Sequence, residues 1–231
     1  MGGGYMVYMI IAGVLSGIGM LVSNRLKSKF NHYSQMPLQS GLSGKEVAEK
    51  MLQHYGIHDV KVVAAKGMLT DHYNPTTKTI ALSEPVYGAR SVAAAAVAAH
   101  ECGHAVQHDT SYAWLKMRSA IVPVVNIASK AQQFLLMAAL GFMGMGGNPI
   151  LLFITVIAFG VTALFSFITL PVEFDASNRA MAWLDETGVA TGTDYDGAKD
   201  ALWWAAMTYV SAALGALVYF LFFVLKFASS R

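Results

Sequence analysis

The sequence predicts a mainly α-helical, four-span integral membrane protein with one small α+β unit on one side of the bilayer. Three observations predict it. Charged residues make up 13% of the 231-residue chain and mean hydropathy is +0.46, whereas a soluble domain carries about 25% charged residues. The uncharged residues gather into runs long enough to cross hydrocarbon. The remaining polar segments hold His100-Glu101-Cys102-Gly103-His104, an H-E-x-x-H pattern, in a stretch that reads as helix on its own account.

Residues 1–24 carry no charge, and Tyr5 to Val22 is an 18-residue apolar run, read as the first span. A cleaved leader would have positive charge ahead of its apolar core; here Arg25, Lys27 and Lys29 follow it. The positive-inside rule then places the N-terminus outside and the next segment in the cytoplasm. The opening MGGGYM lacks the hydroxyl residue of a myristoylation signal. Residues 25–118 form the expected cytoplasmic α+β unit. Within it Ser43 to Tyr55 has Val47, Met51 and Leu52 at helical spacing, with Gly56 as a stop. Val60 to Ala65 reads as a strand. Met68 to Thr70 and Thr77 to Leu82 flank a turn signal at His72-Tyr73-Asn74-Pro75, which predicts a hairpin. A unit of this size buries little core alone and is expected to pack on the membrane helices.

Ala131 to Val172 holds no charge over 42 residues, twice the length of one span. Gly144-Met145-Gly146-Gly147-Asn148-Pro149 divides it, giving a transmembrane hairpin over 119–171 with arms near 119–143 and 150–171. Its first arm holds Asn126, Lys130, Gln132 and Gln133, which face either the protein interior or an interface. Residues 172–202 are a second cytoplasmic segment, and 203–231 the fourth span and tail. Ala201 to Leu225 is 25 uncharged residues with Trp203 and Trp204 at a belt position. The segments assigned to the cytoplasm hold 13 of the 16 Lys and Arg. A net charge of +2, without basic residues interleaved with aromatics, argues against nucleic acid as a partner. Cys102 is the one cysteine, so no intrachain disulfide forms, and it reads as a packing residue facing away from a metal.

Ser91 is a plausible N-cap and Val92 to Ala99 has high helix propensity, so the motif lies on a helix. Residues four apart share a face, so His100 and His104 can reach one metal ion while Glu101 projects beside them. A catalytic zinc takes three protein ligands as a rule. His108 is about 12 Å along the helix from His100, too far to share the ion, and reads as a surface or supporting residue. Glu173 follows the third span, and two spans return it to the motif's side of the membrane. An ordinary interfacial carboxylate is the other reading of Glu173. Asp175 and Ser177 are placed to hold the second ring nitrogen of a metal-bound histidine.

His-Glu-Cys-Gly-His-Ala-Val-Gln-His at 100–108, Leu-Pro-Val-Glu-Phe-Asp-Ala-Ser at 170–177 and Asp-His-Tyr-Asn-Pro at 71–75 resemble the YugP-type membrane zinc metallopeptidases of bacteria. The similarity covers nearly the whole chain. More distantly the chain resembles the HtpX and CAAX prenyl protease group, where an HExxH helix is joined by a glutamate beyond a two-span hairpin. The resemblance implies a zincin-like unit with one zinc per chain, held by His100, His104 and Glu173, with Glu101 as the catalytic base. The HtpX-like group commonly has an aspartate four residues after the third ligand, where this chain has Ser177.

The expected function is a zinc-dependent endopeptidase acting on membrane or membrane-proximal proteins at the cytoplasmic face of a bacterial plasma membrane. Zinc lowers the pKa of a water, Glu101 takes its proton, and a second donor joins zinc in stabilising the oxyanion. His72, Tyr73, His108 and Arg179 are the candidate donors. The strand at 77–82 is expected to offer an edge to an extended peptide. Two alternatives from other classes are a catalytically inactive scaffold with a structural zinc site, and a transporter using intramembrane polar groups such as Lys130. Structural zinc sites favour cysteine, of which there is one. A transporter would need polar residues in several spans, and only the second has a cluster.

Overall fold

A computed structural model describes residues 2–141 and 148–230. The elements in order are α1 (Gly2–Ser34), α2 (Gly44–His54), β1 (Lys61–Ala65), β2 (His72–Asn74), β3 (Thr79–Ser83), α3 (Glu84–Tyr87), α4 (Val92–Asp109), α5 (Ala113–Ala139), α6 (Pro149–Glu186) and α7 (Thr193–Ala228). Helices α1, α5, α6 and α7 are long and apolar enough to cross a membrane. The glycine-rich break expected at 144–149 lies, up to Gly147, outside the described residues.

The chain divides into two compact units. One comprises Met1–Val22, Lys116–Leu170 and Thr208–Arg231. Its helices expose large apolar side chains along their length, among them Leu21, Ile127, Ile150 and Leu225 at 70% or more. That much apolar surface suits lipid and not water. Inside this unit Phe159, Phe223, Leu152 and Ala139 pack together. Of the polar residues in α5, Gln132 turns inward and donates to Thr162 Oγ1 at 2.9 Å and to the Ala158 carbonyl at 3.2 Å. Asn126, Lys130 and Gln133 are exposed.

The other unit comprises Ser23–Leu115 and Pro171–Met207. Helix α4 is its centre, with Val92 to Ala96 and Ala98 to Ala99 at 1% exposure or less. Its run of alanines leaves room for neighbours to approach. Phe30 of α1, Met51 and Leu52 of α2, Ile80 and Leu82 of β3, Trp183 and Leu184 of α6 and Leu202 of α7 belong to the same core. Residues outside 25–118 therefore complete the packing that a small unit lacks. Ser91 caps α4 by accepting from the Ala94 amide, and Ser43 and Glu46 form a reciprocal capping box on α2.

The sheet has the order β1-β3-β2, with β1 parallel and β2 antiparallel to β3. Two expectations are corrected here. The hairpin exists, but His72 to Asn74 is its first strand and not its turn. Asn74 Oδ1 accepts from the Thr76 and Thr77 amides, so the chain reverses after Asn74. Asp71 accepts from the Ser83 amide at 2.7 Å, fixing the start of β2 in the sheet, while Met68 and Leu69 stay in an exposed loop. The strand near 77–82 offers no edge, because β3 is the middle strand with both ladders taken; the edges are β1 and β2. Helix α6 runs on through Pro171 to Glu186, so Glu173 lies on the same helix as the third apolar run.

Candidate metal centre

Glycine at the fourth motif position sets the distance between two helices. A Cβ built on Gly103 would lie 2.5 Å from the Ala176 carbonyl oxygen. Only glycine allows α6 to lie this close to α4, and Glu173 is one turn before Ala176 on the same helix.

That approach brings together the ligand-type atoms of His100, His104 and Glu173, all within 4.8 Å of one another. Glu173 Oε2 is 3.4 Å from His100 Nε2 and 3.5 Å from His104 Nε2. Bonds of 2.0–2.2 Å in a tetrahedron put ligand atoms about 3.4 Å apart, so these distances suit one zinc ion. Two imidazoles and a carboxylate are also a donor set that zinc accepts. Glu173 is 2% exposed and Glu101, beside the pair on α4, is 8% exposed. Water access to the cluster is therefore restricted.

Each histidine is held by its other ring nitrogen. His100 Nδ1 lies 3.1 Å from Ser177 Oγ. His104 Nδ1 lies 3.0 Å from Gln107 Oε1. Gln107 is fully buried, and its Nε2 donates to the Val172 carbonyl at 2.7 Å and to Asp175 Oδ2 at 2.8 Å. Those two acceptors fix the amide orientation, leaving Oε1 to accept from His104. His104 thus keeps a proton on Nδ1, and Nε2, the nitrogen that faces the cluster, is the one that gives up its proton to a metal. Burial alone would push the His104 imidazole down, but the hydrogen bond to Glu173 and the charges of Glu101 and Glu173 raise it above the ordinary 6.5.

The sequence profile of a family described as "Putative neutral zinc metallopeptidase" matches residues 6–228. The chain belongs to this zinc metallopeptidase family. It is 39% identical to the "Putative membrane protease YugP" of Bacillus subtilis (strain 168), over 98% of this chain and 99% of that protein. No solved structure matches the chain significantly. The family read from the three motifs is the one these comparisons give.

The other candidates in this family member scatter. Ser177 meets His100 directly, whereas Asp175 reaches His104 only through Gln107. Arg179 Nε donates to Asp175 Oδ2 at 2.6 Å, and its guanidinium lies 5.7 Å from the Tyr112 ring centroid. Tyr73 and His108 pair with each other, hydroxyl to Nδ1 at 3.0 Å. His72 Nδ1 lies 2.8 Å from the Thr70 carbonyl, in an exposed setting. Cys102 points into the core, 3.4 Å from the Ala48 carbonyl, and burial pushes its thiol up. Gln107 escaped the sequence reading. Its signal was a polar side chain three residues after His104, on the face that α6 covers.

Three outcomes follow. Gly103→Ala forces α4 and α6 apart, and elemental analysis of the purified protein is expected to show loss of most bound zinc. Gln107→Leu removes the bond that orients His104, and chelator competition is expected to show zinc affinity reduced about 10- to 100-fold. Because the His104 proton is held above the ordinary range and must leave before metal binds, zinc affinity is expected to rise with pH through 6.5 and beyond. A pH titration of zinc binding checks this.

Proposed function

We propose that the chain is a zinc-dependent endopeptidase that hydrolyses peptide bonds of membrane or membrane-proximal proteins. The observation that carries this is the convergence of His100, His104 and Glu173, with Glu101 beside them. His100, His104 and Glu173 would hold one zinc. When bound, zinc polarises a water and the substrate carbonyl. Glu101 sits next to the ligand pair on α4 and is the group to take the proton from the attacking water and deliver it to the leaving amine. Ser177 and Gln107 keep the two imidazoles facing the ion. Tyr73 and His108 lie on the β2 side of α4 and remain candidate oxyanion donors. Arg179, engaged with Asp175, supports the Gln107 network instead. The excess of Lys and Arg in 23–118 and 171–203 supports a cytoplasmic site with the N-terminus outside.

The test is zinc content beside proteolysis of a membrane-protein substrate, in detergent-purified protein. Glu101→Gln is expected to keep about one zinc and to lose activity by about 100-fold or more. His104→Ala and Glu173→Ala are expected to lose both. Full activity in Glu101→Gln would overturn the mechanism. Zinc retained in every active-site carboxylate variant, with no proteolysis by the unaltered protein, would favour a structural zinc site.

A further inference from the structure

A cavity of about 540 Å³ opens between α6 and α7. That volume lies within the range of ligand sites, about 300–1,000 Å³. None of His100, Glu101, His104 and Glu173 lines it, so it does not belong to the metal centre. We propose that this cavity binds the headgroup end of a zwitterionic phospholipid, one whose headgroup carries a phosphate and an ammonium group.

The lining is graded along the two helices. The uncharged run of α7 begins at Ala201, and Leu202, Trp203 and Ala206 of the cavity wall lie inside it. The uncharged run of α6 ends at Val172, and Phe174 follows it directly after Glu173. Asp196 and Lys199 precede the run on α7, and Asn178 lies farther out on α6. Helix α6 leaves its apolar run where α7 approaches its own, so apolar groups of both helices gather at one end of the cavity and polar groups at the other. Met181 and Tyr195, at the polar end, pack on the core around α4.

A guest matched to both ends is an amphiphile. Helices α6 and α7 are long and apolar enough to cross a membrane, so the amphiphile at hand is a bilayer lipid. Trp203 is 54% exposed at the start of its run, where tryptophan sits at headgroup level. The open charges then select the headgroup. Asp200 is held by Lys29 at 2.6 Å and Tyr33 at 2.7 Å. Lys199 and Asp196 are exposed and make no ion pair with another described residue, which leaves one charge of each sign. A phosphodiester accepts from the Lys199 ammonium and the Asn178 amide. An ammonium on the same headgroup meets Asp196. A purely anionic headgroup would gain Lys199 but stand unrelieved against Asp196.

The test uses the full-length protein in detergent and two photoreactive lipids. Both carry a diazirine on the acyl chain close to the glycerol; one has a phosphoethanolamine headgroup and the other a phosphoglycerol headgroup. Crosslinked residues are read by mass spectrometry in wild type, Lys199→Glu, Lys199→Arg and Asn178→Trp. These changes fall at exposed positions. Zinc content equal to that of the wild type shows that each variant keeps the packing of α4 on α6.

Expected is labelling of Phe174, Leu202, Trp203 or Ala206 by the phosphoethanolamine lipid, reduced about tenfold or more in Lys199→Glu and Asn178→Trp and retained in Lys199→Arg. An excess of unlabelled phosphoglycerol lipid should not displace it. Labelling that is equal for the two lipids, or that every variant keeps, belongs to lipid in loose contact with the helices and overturns the site. Stronger labelling by the phosphoglycerol lipid overturns the headgroup assignment and the proposal with it. Displacement by inorganic phosphate at equal concentration would assign Lys199 to a free anion and also overturn it. No readout here depends on cleavage, so failure of the peptidase reading leaves the result of this test standing.

Discussion

The metal centre depends on how closely α6 can lie against α4. A glutamate on one helix can join two histidines on another only if the backbones nearly touch, and at Gly103 and Ala176 they do. The helices around that contact are rich in small residues. Ala95, Ala96, Ala98 and Ala99 are buried in the core of their unit, and on α6 Ala176 and Ala180 are fully buried. Small side chains on both helices remove the usual spacing of 8–10 Å between packed helices as a constraint. Alanine's helix propensity makes α4 form, and its size decides what α4 can approach.

Proximity alone would be costly, because it buries a carboxylate. Glu173 is 2% exposed, and a buried charge is tolerated only when paired or bound to a cation. Two imidazole nitrogens face it. The groups behind those imidazoles differ in a way that follows from charge. His104 is held by a neutral amide, and the acid behind that amide, Asp175, is balanced by Arg179. His100 is held by a hydroxyl. An aspartate at 177 would stand one turn from Glu173 on the same face, where like charges repel. Serine there supplies a hydrogen bond without a further charge, in a centre that already contains Glu101 and Glu173.

Much of this was legible in the sequence, and the parts that were not share a cause. The motif helix, its Ser91 cap, the α2 helix and the four long apolar helices all follow from local pattern, which a single stretch of chain carries. Glu173 was legible because a hairpin returns the chain to the side it left. Gln107 was not, because its meaning depends on α6, 65 residues away. The β3 edge was misread because strand order is a tertiary fact, and no local pattern says which of three strands lies in the middle. The turn at 72–75 was misread because His72-Tyr73-Asn74-Pro75 looks like a reversal, whereas Asn74 caps one that begins after it.

The same reasoning explains why the motif unit is not a separable domain. Residues 25–118 contain both histidines and Glu101 but neither Glu173 nor Ser177. They also lack Trp183, Leu184 and Leu202, which belong to the core around α4. Near the start of the unit, Lys29 and Tyr33 bond to Asp200 of α7, and the Gln39 amide donates to Asp194. So the ends of three apolar helices supply ligand, core and anchoring bonds to the unit that holds the motif. Helix α6 carries the apolar run from Pro149 and Glu173 in one continuous element. A chain with this arrangement draws its third metal ligand and part of its core from the ends of the same helices that are long and apolar enough to cross a membrane.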